Sequence, residues 1–262
     1  MNNPKLIKHI VNWLDSYSKN SDTNGFVIGI SGGIDSAATS TLCAKTGKKT
    51  ICLEMPIFQS NEELKRSSNH ISWLKSNFNN VESISIDLTN SFSELKKTIS
   101  DITNSKNNLA LANTRSRLRM ITLYYYAAIN NCLVVGTGNK VEDFGIGFYT
   151  KYGDGGVDIS PIADLMKSDV KNIATEMGVI NEIIIAKPTD GLWDDSRTDE
   201  DQIGASYDEL EWAMNELKKK NNESNYSLRQ KEVLAILKKF NNANSHKMKP
   251  IPICEIPKSI TD

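Results

Sequence analysis

The feature that most constrains this chain is a glycine-rich turn between a predicted buried strand and a predicted helix. Residues 26–30 are Phe-Val-Ile-Gly-Ile, residues 31–36 are Ser-Gly-Gly-Ile-Asp-Ser, and a helix-compatible stretch follows through Ala44. Such a turn leaves backbone N–H groups at a helix N-terminus, where the helix dipole also favours negative charge. The glycines allow close approach, the serines add hydroxyl donors, and Asp35 suits a site that also holds Mg²⁺. The turn therefore predicts a binding site for a polyphosphate that carries a metal ion.

This turn differs from two other kinds of phosphate-binding loop. No Gly-Lys-Ser/Thr follows it, as would be the case in a Walker loop, and its glycine spacing is not the GxGxxG of a dinucleotide site. A glycine-rich strand-to-helix turn that is capped by a serine and binds nothing is the alternative interpretation.

Length and composition predict one domain and exclude several classes of partner. At 262 residues with 39% apolar residues, the chain can bury one sizeable core, so we expect a single domain over residues 1–262. The formal charge is −1, from 31 basic and 32 acidic residues, which predicts neither nucleic acid nor an anionic membrane as partner. The four cysteines form no CxxC pair and predict reduced thiols. We find no signal peptide or membrane-spanning run and therefore expect a cytoplasmic protein.

Strand and helix patterns alternate along the chain, which favours a parallel sheet covered on both faces. The predicted strands are 26–30, 50–55, 83–88 and 133–135. The predicted helices are 4–18, one from Asp35 to near Gly47, 61–78, 91–100, 109–130, 167–177, 206–220 and 227–240. The glycine-rich, polar stretch up to Pro161 predicts a loop over the carboxyl ends of the strands, where such sheets bind ligands.

The turn at Ser31–Ser36 resembles the SGGxDS signature of the N-type ATP pyrophosphatases, which split ATP between its α and β phosphates. Three later stretches resemble motifs of one family in that group, NAD synthetase. They are ANTRSRLRM at 112–120 (family element GNxxARxRM, with Ala112 and Ser116 as departures), VGTGNK at 135–140 (GTxNK) and FYTKYGDGGVD at 148–158 (FTKYGDGGxD). Residues 187–189, residues 206–209 and the pair at 246–247 are also similar. Because the motifs follow in order over essentially the whole chain, it is identified as a member of the ammonia-dependent NAD synthetases.

The resemblance implies a fold and a reaction. The fold is α/β, with a doubly wound parallel sheet, flanking helices (adenine nucleotide α-hydrolase-like) and a helical C-terminal segment, in one domain without a glutaminase domain. The reaction is the ATP-dependent amidation of deamido-NAD by ammonia to give NAD, AMP and pyrophosphate. The nicotinate carboxylate would first attack the ATP α-phosphate, and ammonia would then displace AMP from the acyl adenylate. Mg²⁺ is the implied cofactor and ATP the co-substrate.

The resemblance also implies roles for individual residues. ATP and pyrophosphate would be bound by Ser31, Gly32, Gly33, Asp35, Ser36, Thr137, Lys167 and Thr189. Deamido-NAD would be bound by Asn113, Arg117, Lys151, Asp158, His246 and Lys247. Asp154 and Lys167 would be catalytic, with Asp154 at the place where ammonium loses a proton. Two alternatives stay open, in which Lys167 is a surface lysine and Asp154 only forms a turn. Arg115 and Arg119 are expected on the surface or in ion pairs.

The second metal ligand, after Asp35, has two candidates. Counting from Thr137 places the glutamate of the family on Glu142, whereas counting back from Asp154 places it on Asp143, because one extra residue lies between the motifs. We favour Glu142, since the strand end fixes its spacing and the extra residue is more easily absorbed in the stretch 145–147.

The predicted helix 109–130 is apolar on more than one face. A surface helix needs only one apolar stripe, so the surplus predicts either full burial or a partner subunit. In the family this helix forms a homodimer interface, and a homodimer is therefore expected.

Two other functions remain open from the sequence alone. The chain could be an ATP pyrophosphatase that amidates or thiolates a different substrate, or a nucleotide-binding regulator without turnover. The acidic stretch from Asp190 to Asp201 predicts a solvated loop, although the resemblance implies that this region closes over the site.

Overall fold

The structure is a computed structural model, and it describes residues 2–99, 108–189, 198–219 and 225–261. Its centre is a four-stranded parallel sheet. The strands are β1 (Gly25–Gly29), β2 (Lys49–Glu54), β3 (Val81–Ser85) and β4 (Cys132–Val134). The spatial order is β3-β2-β1-β4, so the chain winds outwards through β2 and β3 and then returns to place β4 on the other side of β1. This confirms the doubly wound fold and places a topological switch point at β1, whose carboxyl end carries the glycine turn.

Helices cover both faces of the sheet and form the C-terminal part. They are α1 (Asn3–Asn20), α2 (Ile34–Ala44), α3 (Asn61–Asn77), α4 (Thr89–Ile99), α5 (Asn108–Asn130), α6 (Lys167–Glu176), α7 (Asn181–Ile184), α8 (Asp199–Ile203), α9 (Tyr207–Lys219), α10 (Leu228–Met248) and α11 (Lys258–Thr261). A π-helical turn, Val141–Ile146, follows β4. None of the helices in the described part of the chain has the length and apolarity needed to cross a membrane.

The alternation of side chains along β1 divides the core between the two faces of the sheet. Phe26 and Ile28 are buried in one cluster with residues of α1, α2 and α6, whereas Val27 is buried in another with residues of α4 and α5. A third cluster joins the π-helical turn to α9 and α10. This third cluster connects the C-terminal helices to the end of the sheet that carries the glycine turn.

The short helices α7, α8 and α11 were not predicted from the sequence, and the bounds of two predicted elements differ clearly from the structure. The strand predicted at 83–88 begins earlier, at Val81, and ends at Ser85. The helix predicted at 227–240 continues to Met248 although residues 241–245 are rich in asparagine, a weak helix former. The side chains of Asn241 and Asn244 donate to backbone carbonyls in and beside the π-helical turn, at Phe144, Gly145 and Ile146. Tertiary hydrogen bonds of this kind are invisible to local propensity.

Candidate active site

The glycine turn closes on itself through its two serines. Ser31 Oγ lies 3.1 Å from Ser36 Oγ and accepts a hydrogen bond from the Gly33 N–H at 3.2 Å. Gly32 has φ of +80°, and a Cβ at this position would lie 2.9 Å from the carbonyl oxygen of Glu63 in α3. Glycine is thus required here both by the backbone conformation and by the packing. The turn lines a cleft at the N-terminus of α2, which is the position that a phosphate-binding site requires.

The cleft is lined both by the residues expected to bind ATP and by the expected metal ligands and catalytic residues. Its lining includes Ser31, Gly32, Gly33, Asp35, Ser36, Thr137, Glu142, Asp143, Asp154, Lys167 and Thr189. These residues come from segments far apart in the chain, and the parallel sheet gathers them at the carboxyl ends of its strands.

A buried ammonium group joins three elements in this cleft. Lys167, the first residue of α6, is 8% exposed, so the surface-lysine alternative does not hold. Its Nζ lies 2.5 Å from Asp35 Oδ2 and 2.8 Å from Glu142 Oε1. Burial disfavours the charged form, but the carboxylates of Asp35 and Glu142 outweigh burial and raise the pKa of Lys167 well above its usual range. Lys167 is therefore a fixed positive charge beside the glycine turn.

The π-helical turn directs its two acidic residues to different places. Glu142 contacts Lys167 and accepts a hydrogen bond from the Tyr207 hydroxyl at 2.6 Å. Asp143 instead packs against Gly138, where an added Cβ would lie 2.1 Å from Asp143 Oδ2. A π-helical turn takes up one residue more than an α-helical turn, which matches the extra residue that the motif spacing indicates.

Buried Asn139 fixes Glu142 relative to Asp35. Its Oδ1 accepts the backbone N–H groups of Val141 and Glu142, both at 3.1 Å, and its Nδ2 donates to Asp35 Oδ1 at 3.3 Å. Asn139 belongs to a stretch that resembles a family motif, but no role was predicted for it from the sequence. Its role is to hold two carboxylates from different elements in one orientation.

Asp35 and Glu142 fit a divalent cation that receives the rest of its ligands from a substrate. Both carboxylates already converge on one cation, the Lys167 ammonium group. Within the described ranges, no group of three or more His, Cys, Asp or Glu side chains is arranged to hold a metal. Mg²⁺ commonly takes one or two carboxylates and completes its shell with water and phosphate oxygens. The pair therefore suits Mg²⁺ that binds together with a polyphosphate.

Asp154 faces the cleft from a loop and also stabilises that loop. Its Oδ1 accepts the Ser116 hydroxyl at 2.6 Å and the Thr150 N–H at 2.9 Å. Its Oδ2 accepts no hydrogen bond from any residue that the structure describes. Asp154 thus forms a turn, as the alternative interpretation predicts, and still presents one oxygen for other chemistry.

A smaller cavity of about 200 Å³ adjoins the cleft, and Asp143 and Asp154 line both spaces. Tyr149 and Lys247 line the smaller cavity as well. Burial and then the charges of Glu142, Asp154 and Asp35 raise the pKa of Asp143 to about 8. Several carboxyl groups therefore meet at the junction of the two cavities, and their mutual repulsion favours a bound proton or a small cation there.

Most residues expected to bind deamido-NAD lie outside the cleft lining, on a surface formed by α5, the loop 147–156 and the end of α10. Hydrogen bonds connect this surface. They join Asn113 to Thr150, Arg117 to Lys151, Lys151 to His246, and Lys247 to Tyr149, over distances of 2.7 to 3.4 Å. His246 and Lys247 belong to the last turn of α10.

Asp158 lies apart from that surface. Its Oδ1 accepts the Tyr124 hydroxyl at 3.0 Å and its Oδ2 accepts the backbone N–H of Val134 in β4 at 2.7 Å. Both oxygens therefore hold the chain against the end of β4, and a contact with deamido-NAD stays a prediction.

Two other residues, Arg119 and Asp199, lie at the cleft, which their sequence positions alone did not indicate. Arg119, expected on the surface or in an ion pair, lines the cleft and donates to the Met55 carbonyl at 3.0 Å and to Gln59 Oε1 at 2.8 Å. Ser116 and Arg119 lie three residues apart in α5, so helical periodicity from Ser116 could have placed Arg119 on the cleft face. Asp199, expected in a solvated loop, is 6% exposed and lines the cleft; residues 190–197 of that acidic stretch lie outside the described residues.

Sequence reasoning also missed Tyr207. It begins α9, is 5% exposed, and its ring centroid lies 4.8 Å from Lys167 Nζ. No spacing pattern in the sequence predicts this contact, because Tyr207 reaches the cleft only through the packing of the C-terminal helices.

Comparisons with known proteins identify the family. The sequence profile of the NAD synthase family matches residues 6–251. An NH(3)-dependent NAD(+) synthetase of Mesoplasma florum is 38% identical over 208 residues, which are 79% of this chain and 82% of that protein.

Two solved structures are similar over nearly the whole chain. An NMN synthetase from Francisella tularensis has a TM-score of 0.86 and 30% identity, and the match covers 98% of this chain and 100% of that one. An NH3-dependent NAD synthetase from Campylobacter jejuni has a TM-score of 0.79 and 28% identity, over 97% of this chain and 100% of that one. With the cleft described above, these matches place the chain in the NAD synthase family.

Proposed function

We propose that this protein is an ammonia-dependent ligase that uses ATP to convert deamido-NAD to NAD, with AMP and pyrophosphate as the other products. One observation carries the proposal. A phosphate turn, a fixed ammonium group with two carboxylates, and the acceptor Asp154 all face one cleft. The family membership and the name of the Mesoplasma florum relative support the same reaction.

The first step would activate a carboxylate, which at neutral pH is a poor electrophile. A carboxylate oxygen of the nicotinate group attacks the α-phosphorus of ATP, and the bond from that phosphorus to the β-phosphate oxygen breaks. Pyrophosphate leaves with the electron pair. The Ser31–Ser36 turn and Lys167 would offset the negative charge on the phosphates, because donors and cations fixed before the reaction cost no reorganisation. Thr137 and Thr189 would contact the ATP from the other walls of the cleft.

Asp35 and Glu142 would hold Mg²⁺ with the polyphosphate, and the cation would supply further neutralisation of phosphate charge. We assign the second metal position to Glu142 because its carboxylate and that of Asp35 converge on one point, whereas Asp143 packs against Gly138.

In the second step, ammonia would replace AMP on the acyl carbon and form the amide. An ammonium ion at the junction of the two cavities would give a proton to Asp154 Oδ2, and the nitrogen of the resulting ammonia would attack the acyl carbon. The carbon–oxygen bond to AMP would then break, AMP would leave with the electron pair, and the nitrogen would release a second proton to solvent to give the neutral amide. Asn113, Arg117, Lys151, His246 and Lys247 would bind the dinucleotide on the adjoining surface.

A homodimer through α5 is part of this proposal. Ile121, Tyr125 and Ile129 are spaced four residues apart, so they form one stripe, and each is at least 60% exposed. The opposite face of α5 packs on the sheet. A second copy of the chain would cover the stripe.

A second candidate substrate follows from one comparison. The Francisella tularensis structure is of an NMN synthetase, and it matches this chain with the higher TM-score of the two compared structures. The substrate that corresponds to NMN is nicotinate mononucleotide, which carries the same reacting carboxylate without the adenylyl half.

One experiment tests the reaction and separates the substrates. The purified protein is incubated with ATP, Mg²⁺ and ammonium, and with either deamido-NAD or nicotinate mononucleotide at several concentrations. We expect NAD and stoichiometric pyrophosphate with deamido-NAD, at a kcat/KM at least tenfold above that for the mononucleotide. The reverse preference would assign the protein as an NMN synthetase. Pyrophosphate release with neither would refute the proposed function.

A further inference from the structure

Tyr207 connects the C-terminal helices to the cleft through one hydroxyl group. Its ring is buried in the cluster formed by the π-helical turn, α9 and α10. Its hydroxyl donates to Glu142 Oε1 at 2.6 Å and also lies 3.2 Å from Asp199 Oδ2. The residue thus reaches two carboxylates that belong to different segments.

A tyrosine hydroxyl carries a single proton and can make one full donation at a time. The proton is therefore shared between Glu142 and Asp199, with the shorter contact to Glu142. Without the hydroxyl, Glu142 Oε1 would keep the Lys167 ammonium group but lose its neutral donor, and the Asp199 carboxylate would lie nearby without the hydroxyl between them. Removal of such a donor to a charged group leaves an unfavourable arrangement rather than a neutral one.

Asp199 makes a hydrogen bond to the stretch 187–189, which carries Thr189. The N–H of Asp199 donates to the carbonyl of Pro188 at 3.1 Å, and Lys187, Pro188, Thr189 and Asp199 all line the cleft. The Tyr207 hydroxyl therefore connects the Glu142 carboxylate, through Asp199, with the cleft wall formed by residues 187–189. In the proposed function, that wall would contact the phosphates and Glu142 would hold the metal.

We propose that Tyr207 is a positioning residue that fixes the Glu142 carboxylate for the cation and links its orientation, through Asp199, to the segment carrying Thr189. This inference rests on the proposed function. It differs from an ordinary packing role because the hydroxyl, not the ring, is required.

The test is Tyr207→Phe, which keeps the ring and removes only the hydroxyl. We expect the Mg²⁺ concentration for half-maximal pyrophosphate release to rise about tenfold, while kcat at saturating Mg²⁺ falls less than threefold. The affinity for Mn²⁺ in the presence of a non-hydrolysable ATP analogue, measured by electron paramagnetic resonance, should weaken by a similar factor. That second readout does not depend on turnover, so it stays informative if the substrate is misassigned.

Tyr226→Phe is the matched control. The Tyr226 hydroxyl donates to Glu216 at 3.0 Å, and Tyr226 packs against the same C-terminal cluster, but neither residue lines the cleft. Tyr226→Phe should leave both the Mg²⁺ concentration for half-maximal pyrophosphate release and the Mn²⁺ affinity unchanged. Equal effects of the two variants, or unchanged Mn²⁺ affinity in folded Tyr207→Phe, would overturn the proposal.

A double-mutant cycle tests the link to Asp199. Asp199→Asn should change the Mg²⁺ half-saturation when Tyr207 is present and have less than a twofold effect in the Tyr207→Phe background, because both substitutions act through one hydroxyl. Additive effects would exclude the coupling. If Tyr207→Phe failed to fold, Asp199→Asn alone decides, and unchanged Mn²⁺ affinity in that variant would also refute the proposal.

Discussion

At the scale of single residues, Lys167 and its two carboxylates determine the charge of the cleft. The ammonium group lies between Asp35 and Glu142, where a divalent cation would also find its ligands. Under the proposed function, Mg²⁺ held by the same two carboxylates would lie beside the Lys167 ammonium group, so the two cations would compete for these ligands.

The assignment of Glu142 leads to a first prediction. Glu142→Gln should raise the Mg²⁺ requirement of pyrophosphate release at least tenfold, because it removes a ligand charge and keeps the shape of the side chain. Asp143→Asn should change that requirement less than threefold. Asp35→Asn serves as the positive control and should abolish release with an unchanged circular dichroism spectrum. A magnesium titration that gave the reverse order for Glu142 and Asp143 would transfer the role to Asp143.

The second prediction concerns Lys167 as an internal counter-ion. Lys167→Met should bind free Mn²⁺, without nucleotide, about tenfold more tightly than the unsubstituted protein, because the competing ammonium is gone. Pyrophosphate release should nevertheless fall at least a hundredfold. Lys171→Met, at an exposed position of the same helix, is the control. Weaker Mn²⁺ binding by Lys167→Met would contradict the counter-ion role.

The third prediction concerns stability and pH. His70 is fully buried, with Nε2 2.9 Å from the Ser40 hydroxyl, and burial lowers its pKa to about 4. As the pH drops, the imidazole of His70 is protonated near pH 6.5 in the unfolded state, but in the folded state it stays neutral until about pH 4. The free energy of unfolding therefore decreases below pH 6.5, and this decrease ends near pH 4. Between pH 7 and pH 5 the loss should be about 2 kcal/mol.

Urea unfolding at the two pH values measures this loss. His70→Gln should remove most of it, because glutamine does not titrate and can still bond to Ser40. The exposed His9→Gln should behave like the unsubstituted protein. An equal pH dependence in all three proteins would show that His70 does not titrate in this way.

At the scale of elements, helix α5 packs on the sheet with one face, lines the cleft with another and exposes a third to solvent. Leu118 and Ala127 pack on the sheet, Ser116 and Arg119 reach the cleft, and the stripe that includes Ile121 is exposed. Its apolar residues therefore cover more than the single face that a surface helix needs. The full-burial alternative does not hold, since the stripe is open in the described chain.

The fourth prediction tests the proposed dimer. Ile121→Glu and Tyr125→Glu, each placing a charge in the exposed stripe, should convert a dimer to a monomer and raise its dissociation constant at least a hundredfold. Light scattering coupled to size exclusion measures the mass. Leu217→Glu, at an exposed position of α9, is the control and should leave the mass unchanged. A monomeric unsubstituted protein at micromolar concentration would refute the dimer.

At the scale of the whole molecule, the winding of the sheet creates the cleft. The chain reverses direction at β1, and the connections on its two sides leave a crevice at the carboxyl ends of the strands. The C-terminal helices then close one wall through the cluster that contains Tyr207.

The fifth prediction belongs to this scale. Ammonium should support NAD formation, and glutamine free of ammonium should give less than a hundredth of that rate. The proposed function uses ammonium as the nitrogen donor, at the junction of the two cavities that Asp143 and Asp154 line. Equal rates with both nitrogen donors, in a preparation free of other proteins, would contradict the prediction.

Local sequence patterns were enough to predict most of the elements and the glycine turn. The apolar run before Ser31, the two glycines and the helix start are local, and local geometry follows from such patterns. The alternation of strands and helices likewise predicted a parallel sheet covered on both faces, and the family resemblance supplied its doubly wound topology. Motif resemblance supplied the expected roles, since those residues lie within short contiguous stretches.

Which side chains meet in the cleft depends on how distant elements pack against one another. Glu142 and Asp143 are neighbours in sequence, and the π-helical turn sends one to Lys167 and the other to Gly138. Arg119, Asp199 and Tyr207 reach the cleft because helices pack around it, over separations that no local period encodes. The burial of Lys167 depends on the same packing, because two carboxylates from distant elements must converge to stabilise one buried charge.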